Sequence, residues 1–122
     1  MSKFAILVVD DNLISRLLPG LILRSFGTYI QVFECGAAED ALYLLRTHRI
    51  THVLLDINLV QMSGVFLAGI IRSIPSYSAI KLIAYTAEYS VEKVESLKQT
   101  GFDSVLMKPI NKEALLNALN IV

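Results

Sequence analysis

Five short apolar runs, each followed by a stretch of helical periodicity, constrain this chain more than any other feature. Residues 4–9, 29–33, 52–55, 81–85 and 104–107 read as strands. The first, third and fourth are apolar almost throughout instead of alternating, which implies cover on both faces and hence a parallel sheet. Between them lie the helical patterns. Residues 13–26 place Ile14, Leu17, Leu18 and Leu21 on one face, with Gly27 as a stop and a kink expected at Pro19, which has no N–H for the carbonyl four residues back. Further helices are expected over 37–47, over 63–74 ahead of Pro75, from a Ser90 cap to Thr100 before Gly101, and after an Asn111 cap with Leu115, Ala118 and Leu119 facing inward. Strand–helix alternation repeated five times implies right-handed crossovers and an α/β, doubly wound sheet with helices on both faces.

A chain of 122 residues fits one domain, 1–122, large enough to bury a core without disulfides. Its hydrophobic fraction of 54% is high, so fully covered strands or surface met by a partner are expected. Eleven basic residues balance eleven acidic ones, which leaves no electrostatic footprint for nucleic acid or an anionic membrane. No apolar run approaches the 18 or so residues of a membrane span, and the six-residue run near the N-terminus is too short for a signal peptide. The lone Cys35 reads as a small buried hydrophobe. Together these point to a cytoplasmic protein. The start at Met1 leans toward an N-terminal position in any longer chain.

In open α/β sheets chemistry gathers beyond the carboxyl ends of the strands, where the strand order reverses; for the order 2-1-3-4-5 that point lies between strands 1 and 3. Strand 1 ends in Asp10 and Asp11, strand 3 in Asp56, strand 4 in Thr86 and strand 5 in Lys108 followed by Pro109. Two carboxylates roughly 5 Å apart repel by about 3 kcal/mol at an effective dielectric near 20, so a cation is needed among them. A set of oxygen ligands suits Mg²⁺ better than Zn²⁺. Asp11 or Asn12 acting only as a cap for the first helix is the competing account of the doublet.

The segments Val9-Asp10-Asp11-Asn12, "LLDINLVQMSG" at 54–64, "AYTA" at 84–87 and "LMKPI" at 106–110 resemble the receiver domain of two-component response regulators over essentially the whole chain. That resemblance implies a five-stranded parallel sheet in the order 2-1-3-4-5, the flavodoxin-like arrangement. It also implies that Asp56 accepts a phosphoryl group from a phosphohistidine on a sensor histidine kinase or a histidine phosphotransfer protein. Asp11, Asp56 and the Asn58 carbonyl would hold Mg²⁺, with Asp10 acting through metal-bound water. Thr86, the Ala87 amide and Lys108 would meet the phosphoryl oxygens, with a cis peptide bond before Pro109 aiming the lysine. Asn58 and Glu88 would flank the path of attacking water. Such a domain is no enzyme in the ordinary sense, catalysing only its own phosphorylation and dephosphorylation. Its output surface, and any homodimer or output-domain contact, would be helix 4, strand 5 and helix 5.

Two positions depart from the family pattern. Val60 stands where a proline is common, four residues after the acceptor, and Val105 stands where an aromatic switch residue is common. Without that ring, output is expected to use backbone shifts or Tyr85 and Tyr89, although half-buried packing with exposed hydroxyls is the plainer expectation for these tyrosines. Phe66 and Ile70 on helix 3 and Ile121 beyond helix 5 fall off the inward stripes and are candidate contact patches, whereas Leu67, Ile71 and Ile74 face inward. His48 and His52, at the far end of strand 3, read as surface residues. Two other functions compete: a degenerate receiver that only binds partners, and an aspartate-nucleophile phosphatase, whose Asp-x-Asp spacing the Asp10-Asp11-Asn12 segment lacks.

Overall fold

Strands covered on both faces need helices on both sides, and the computed structural model, which describes residues 2–121, has that architecture. In chain order the elements are β1 (Phe4–Val9), α1 (Leu13–Arg24), β2 (Ile30–Cys35), α2 (Ala38–Thr47), β3 (His52–Asp56), α3 (Gly64–Ser73), β4 (Lys81–Thr86), α4 (Val91–Gln99), β5 (Ser104–Met107) and α5 (Lys112–Leu119). The sheet runs β2-β1-β3-β4-β5 with every pair parallel. Alternate side chains feed two cores. Leu7, Val9, Val53, Leu55, Leu82 and Ala84 meet α2, α3 and α4, while Ile6, Val8, Leu54, Ile83, Tyr85 and Leu106 meet α1 and α5.

Local signals set the helix starts. Asn12, Ser63, Ser90 and Asn111 each accept a hydrogen bond from the amide three residues on, the N-cap arrangement expected of these residue types. Strand β2 begins one residue later than the apolar pattern suggested. Gly27, at φ +64°, starts a single 3₁₀ turn that takes up Tyr29.

Helix α1 overturns a simple reading of amphipathicity. It runs through Pro19 as one element, and its apolar stripe faces outward: Leu13, Ile14, Leu17, Leu18 and Leu21 are 37–64% exposed. The face against the sheet carries Pro19, Gly20 and Leu23, and at its margin half-buried Arg16 and exposed Arg24 both pair through their guanidinium groups with Glu34 on β2. A Cβ on Gly20 would lie 2.6 Å from Glu34 Oε2, so glycine there lets this clamp close. The two ion pairs and the small Pro19-Gly20 surface fix the roll of the helix, and its leucines are left outside.

Two further expectations are corrected. Ile121 is buried. Asn120 takes the left-handed conformation at φ 57° and turns the chain back, so the Ile121 amide donates to Leu116 O at 3.1 Å and its side chain enters the α1/α5 core. His52 is also buried, because it opens the central strand β3. Its Nε2 lies 2.7 Å from Leu119 O and its Nδ1 lies 2.7 Å from Thr51 Oγ1, which ties the end of α5 to the foot of the sheet. Burial pushes its imidazole below the usual histidine value, partly offset by the Leu119 contact. His48 and Phe66 are exposed, Ile70 and Ile74 are half-buried, and Cys35 is a buried free thiol pushed up to about 11 chiefly by burial.

Candidate functional site

Parallel strands end together, so their last residues share one rim, and here that rim carries the chemistry. Asp10 follows β1, Asp56 and Thr86 end β3 and β4, and Lys108 follows β5. Asp10, Asp56 and Thr86 are buried, and Asp11 is exposed at the edge. One carboxylate oxygen from each of Asp10, Asp11 and Asp56 lies within 4.8 Å of the others. The Lys108 ammonium sits 2.9 Å from Asp10 Oδ2 and 3.4 Å from Asp56 Oδ1.

Backbone amides orient each acid. Asn12 N–H donates to Asp10 Oδ1 at 2.9 Å, Asn58 N–H to Asp56 Oδ1 at 3.2 Å, and Val60 N–H to Asp11 Oδ2 at 3.0 Å. The last bond gives the departure at position 60 a physical meaning: proline there has no N–H to offer Asp11. Arg16 braces the β1 end through its 2.9 Å bond to Asp10 O. Asn12 also caps α1, so the doublet and the cap coexist.

Asp10 Oδ2 is fully buried, and the ammonium approaches it outside hydrogen-bond angles, so the oxygen is ion-paired but lacks a directed donor. Such an atom is costly unless a cation completes its environment. Three acids, an unsatisfied buried oxygen and, among the described residues, no histidine or cysteine in the cluster fit a hard divalent cation such as Mg²⁺, with solvent filling the other positions.

Burial raises the Asp56 carboxyl above the ordinary carboxylate range; the Asn58 amide pulls it back, the Asp10 charge raises it further and Lys108 lowers it. The folded state therefore holds a proton that the unfolded state has lost, across the window between the ordinary value of 3.8 and the raised one. Stability falls as pH rises through that window, and the full penalty persists above it. Without Mg²⁺, Asp56→Asn is expected to unfold at a higher urea concentration than wild type at pH 7. The gap should close on acidification or on adding Mg²⁺ to wild type. Equal midpoints at pH 7 would contradict this.

The Thr86 hydroxyl is engaged by the loop that follows it. It accepts from Glu88 N–H at 3.1 Å and donates to Glu88 O at 3.2 Å. Ala87 and Glu88 are exposed on the same loop, and Asn58 is exposed beside Asp56. The Lys108-Pro109 peptide is cis, as the motif implied. Tyr89 is exposed, but Tyr85 is not the half-buried residue expected: it is 1% exposed, because the central strand β4 directs it into the α1/α5 core. Its ring centroid lies 4.9 Å from the Lys108 ammonium. Burial first, then the charges of Asp10 and Asp56, push its phenol up to about 12. The sequence carried no signal for this contact, which depends on which face of β4 the ring takes.

A doubly wound sheet with acids on its two central strand ends and a lysine beyond the fifth defines the receiver class of signalling domain. The family model for the response regulator receiver domain matches residues 6–120, and the chain belongs to that family. It is 34% identical over 112 residues to stress response regulator protein 1 of Meyerozyma guilliermondii, covering 91% of this chain and 51% of that protein. It is 28% identical over 120 residues to a probable chemotaxis protein CheY of Rhizobium etli, covering 98% and 92%. Among solved structures, chemotaxis protein CheY4 of Vibrio cholerae superposes with a TM-score of 0.88 at 27% identity, covering 98% of each chain. The chain spans about half the length of the first of these relatives, and 12% of the sensor histidine kinase RcsC of Salmonella typhi, to which it is 34% identical over 119 residues. It is a receiver domain of two-component signalling. Among the described residues, no helix is long and apolar enough to cross a membrane.

Proposed function

We propose that Asp56 accepts a phosphoryl group from the phosphohistidine of a sensor kinase or phosphotransfer protein in the cytoplasm. The observation that carries this reading is the convergence of Asp10, Asp11 and Asp56 with the Lys108 ammonium in one crevice. In the transfer the P–N bond to the imidazole breaks, an Asp56 oxygen bonds to phosphorus, and the freed nitrogen takes a proton. The transferring group carries charge on its equatorial oxygens and needs alignment and fixed positive partners more than covalent help. Asp10, Asp11, Asp56 and the Asn58 carbonyl would hold Mg²⁺, which when bound supplies positive charge to those oxygens. Lys108 offers its ammonium, and the Ala87 amide lies on the adjacent loop. Thr86 can donate to the phosphoryl only by releasing Glu88, which links the chemistry to the β4–α4 loop and the α4–β5–α5 surface. Asn58 and Glu88, two positions after the acceptor and after Thr86, would tune attack by water. The domain turns over nothing but its own phosphoryl group.

A donor protein must bring phosphorus to bonding distance of Asp56, so it has to cover the rim from which α1 starts. The outward stripe from Leu13 and Ile14 to Leu21 continues from that rim, and Val60 is exposed on the neighbouring loop. We take the α1 stripe as the seat of the phosphohistidine-bearing partner.

Acetyl phosphate with Mg²⁺, followed by intact mass measurement, tests the chemistry without a partner. Wild type should gain one phosphoryl group and Asp56→Asn none. An unmodified wild type would favour a receiver that only binds, and steady turnover of unrelated phosphomonoesters would favour a phosphatase.

A further inference from the structure

We propose that Tyr85 is a positioning residue for Lys108: its buried ring is the partner that holds the ammonium at the crevice when the carboxylates are engaged elsewhere. The proposal rests on the phosphoacceptor reading above and goes beyond it, since that reading gives roles to Thr86 and Ala87 of the 84–87 segment and none to Tyr85.

The Lys108 ammonium has three neighbours: Asp10 Oδ2 at 2.9 Å, Asp56 Oδ1 at 3.4 Å and the Tyr85 ring at 4.9 Å to its centroid. The first two are also candidate metal ligands, and a divalent cation drawn to the acid cluster would compete for their oxygens and repel the ammonium. A hard, hydrated cation takes oxygen ligands and leaves an aromatic face alone. The ring is thus the one neighbour of Lys108 that ion binding does not claim.

The ring is also well fixed. Tyr85 pairs with Asp56 on β3 and Leu106 on β5, and its side chain packs in the α1/α5 core that includes Leu106 and Leu115. Asp56 and Tyr85 are in register, so the floor beneath the ammonium and the acceptor are positioned by the same strand pair. Val105, two residues before Met107 on β5, packs against the opposite core and offers no ring. Among the described residues, the Tyr85–Lys108 pair is the one cation–aromatic contact.

The test compares Tyr85→Phe, which keeps the ring, with Tyr85→Leu, which keeps apolar bulk without it. Proton NMR of the Lys108 side chain reads position directly. In wild type and Tyr85→Phe its terminal methylene should be ring-shifted upfield in metal-free protein and should stay so when Mg²⁺ engages the carboxylates. With acetyl phosphate, Tyr85→Leu should lower the maximal phosphorylation rate about three- to tenfold with half-saturating Mg²⁺ within twofold of wild type, and Tyr85→Phe should stay near wild type. Loss of the upfield shift from wild type on adding Mg²⁺, Tyr85→Phe falling as far as Tyr85→Leu, or a loss confined to the Mg²⁺ requirement would each overturn the proposal. Tyr85→Met replaces the leucine variant if that one does not fold, with the same expected result. If wild type takes no phosphoryl group at all, the phosphoacceptor reading fails, and the Lys108 ring shift with and without Mg²⁺ still decides whether the ring holds the ammonium.

Discussion

Gly64→Ala is expected to lower the melting temperature by about 10 °C or more, a loss of about 3 kcal/mol or more. Gly64 opens α3 directly after its Ser63 cap, and its amide donates to Ile57 O at 2.9 Å, closing the loop that follows Asp56. A Cβ there would overlap the Asp56 carbonyl oxygen and lie 2.8 Å from Ile57 Cα. Both belong to the backbone of the central strand end and cannot swing aside as a side chain would. Asp56 is held to β4, and the next residue, Ile57, accepts the Gly64 amide, so the helix has to back away and carry the loop with it. Asn58 N–H and Val60 N–H then lose their aim at Asp56 and Asp11, and Mg²⁺ affinity should fall along with stability. Gly69, in the same helix, is the control: a Cβ there meets nothing within 4 Å. Gly69→Ala should therefore stabilise by about 0.5–1 kcal/mol through helix propensity alone. Thermal melts of the two variants decide, and a Gly64→Ala protein melting within 2 °C of wild type would remove the steric account.

The contrast between α1 and the rest of the chain shows which features a sequence makes legible. Strand count, parallel pairing and the rim carrying Asp10, Asp11, Asp56, Thr86 and Lys108 depend on local order and on strand polarity, and both can be read along the chain. The roll of α1 depends on Arg16 and Arg24 closing on Glu34, a contact between elements. Periodicity finds that a helix has an apolar face but says nothing about which way it points. The same limit applies to Ile121, whose burial depends on a left-handed Asn120 reversing the chain, and to His52, which looks peripheral in sequence but opens the central strand. The resting Thr86 hydroxyl, bonded to Glu88, likewise comes from loop conformation and not from residue type. Residue types in the site could be read from the sequence, and so could the strand ends that bear them. The pairwise contacts that hold Lys108, Asp11 and Thr86 in their present positions could not.

Placing two charges on the outward face of α1 should separate partner docking from phosphoryl chemistry. Leu17 and Leu21 lie one turn apart on that face and are exposed, so Leu17→Glu with Leu21→Glu should change stability by no more than about 0.5 kcal/mol per site. All five side chains of the stripe are more than a third exposed and none carries a charge, so the face is apolar surface of the kind that marks an interaction site. A carboxylate driven into an apolar contact without a counter-ion costs about 3 kcal/mol or more, so phosphotransfer from a protein donor should slow about 100-fold or more. Acetyl phosphate needs only the crevice, and its unchanged rate in the double variant would show that Asp56, Lys108 and the acid cluster remain in place. Two results would reassign the stripe. Equal loss with both donors would mean that α1 supports the crevice structurally, through the Arg16 brace on Asp10. Unchanged transfer from the protein donor, with a shift from dimer to monomer in light scattering, would mean that a second copy of the chain covers the leucines.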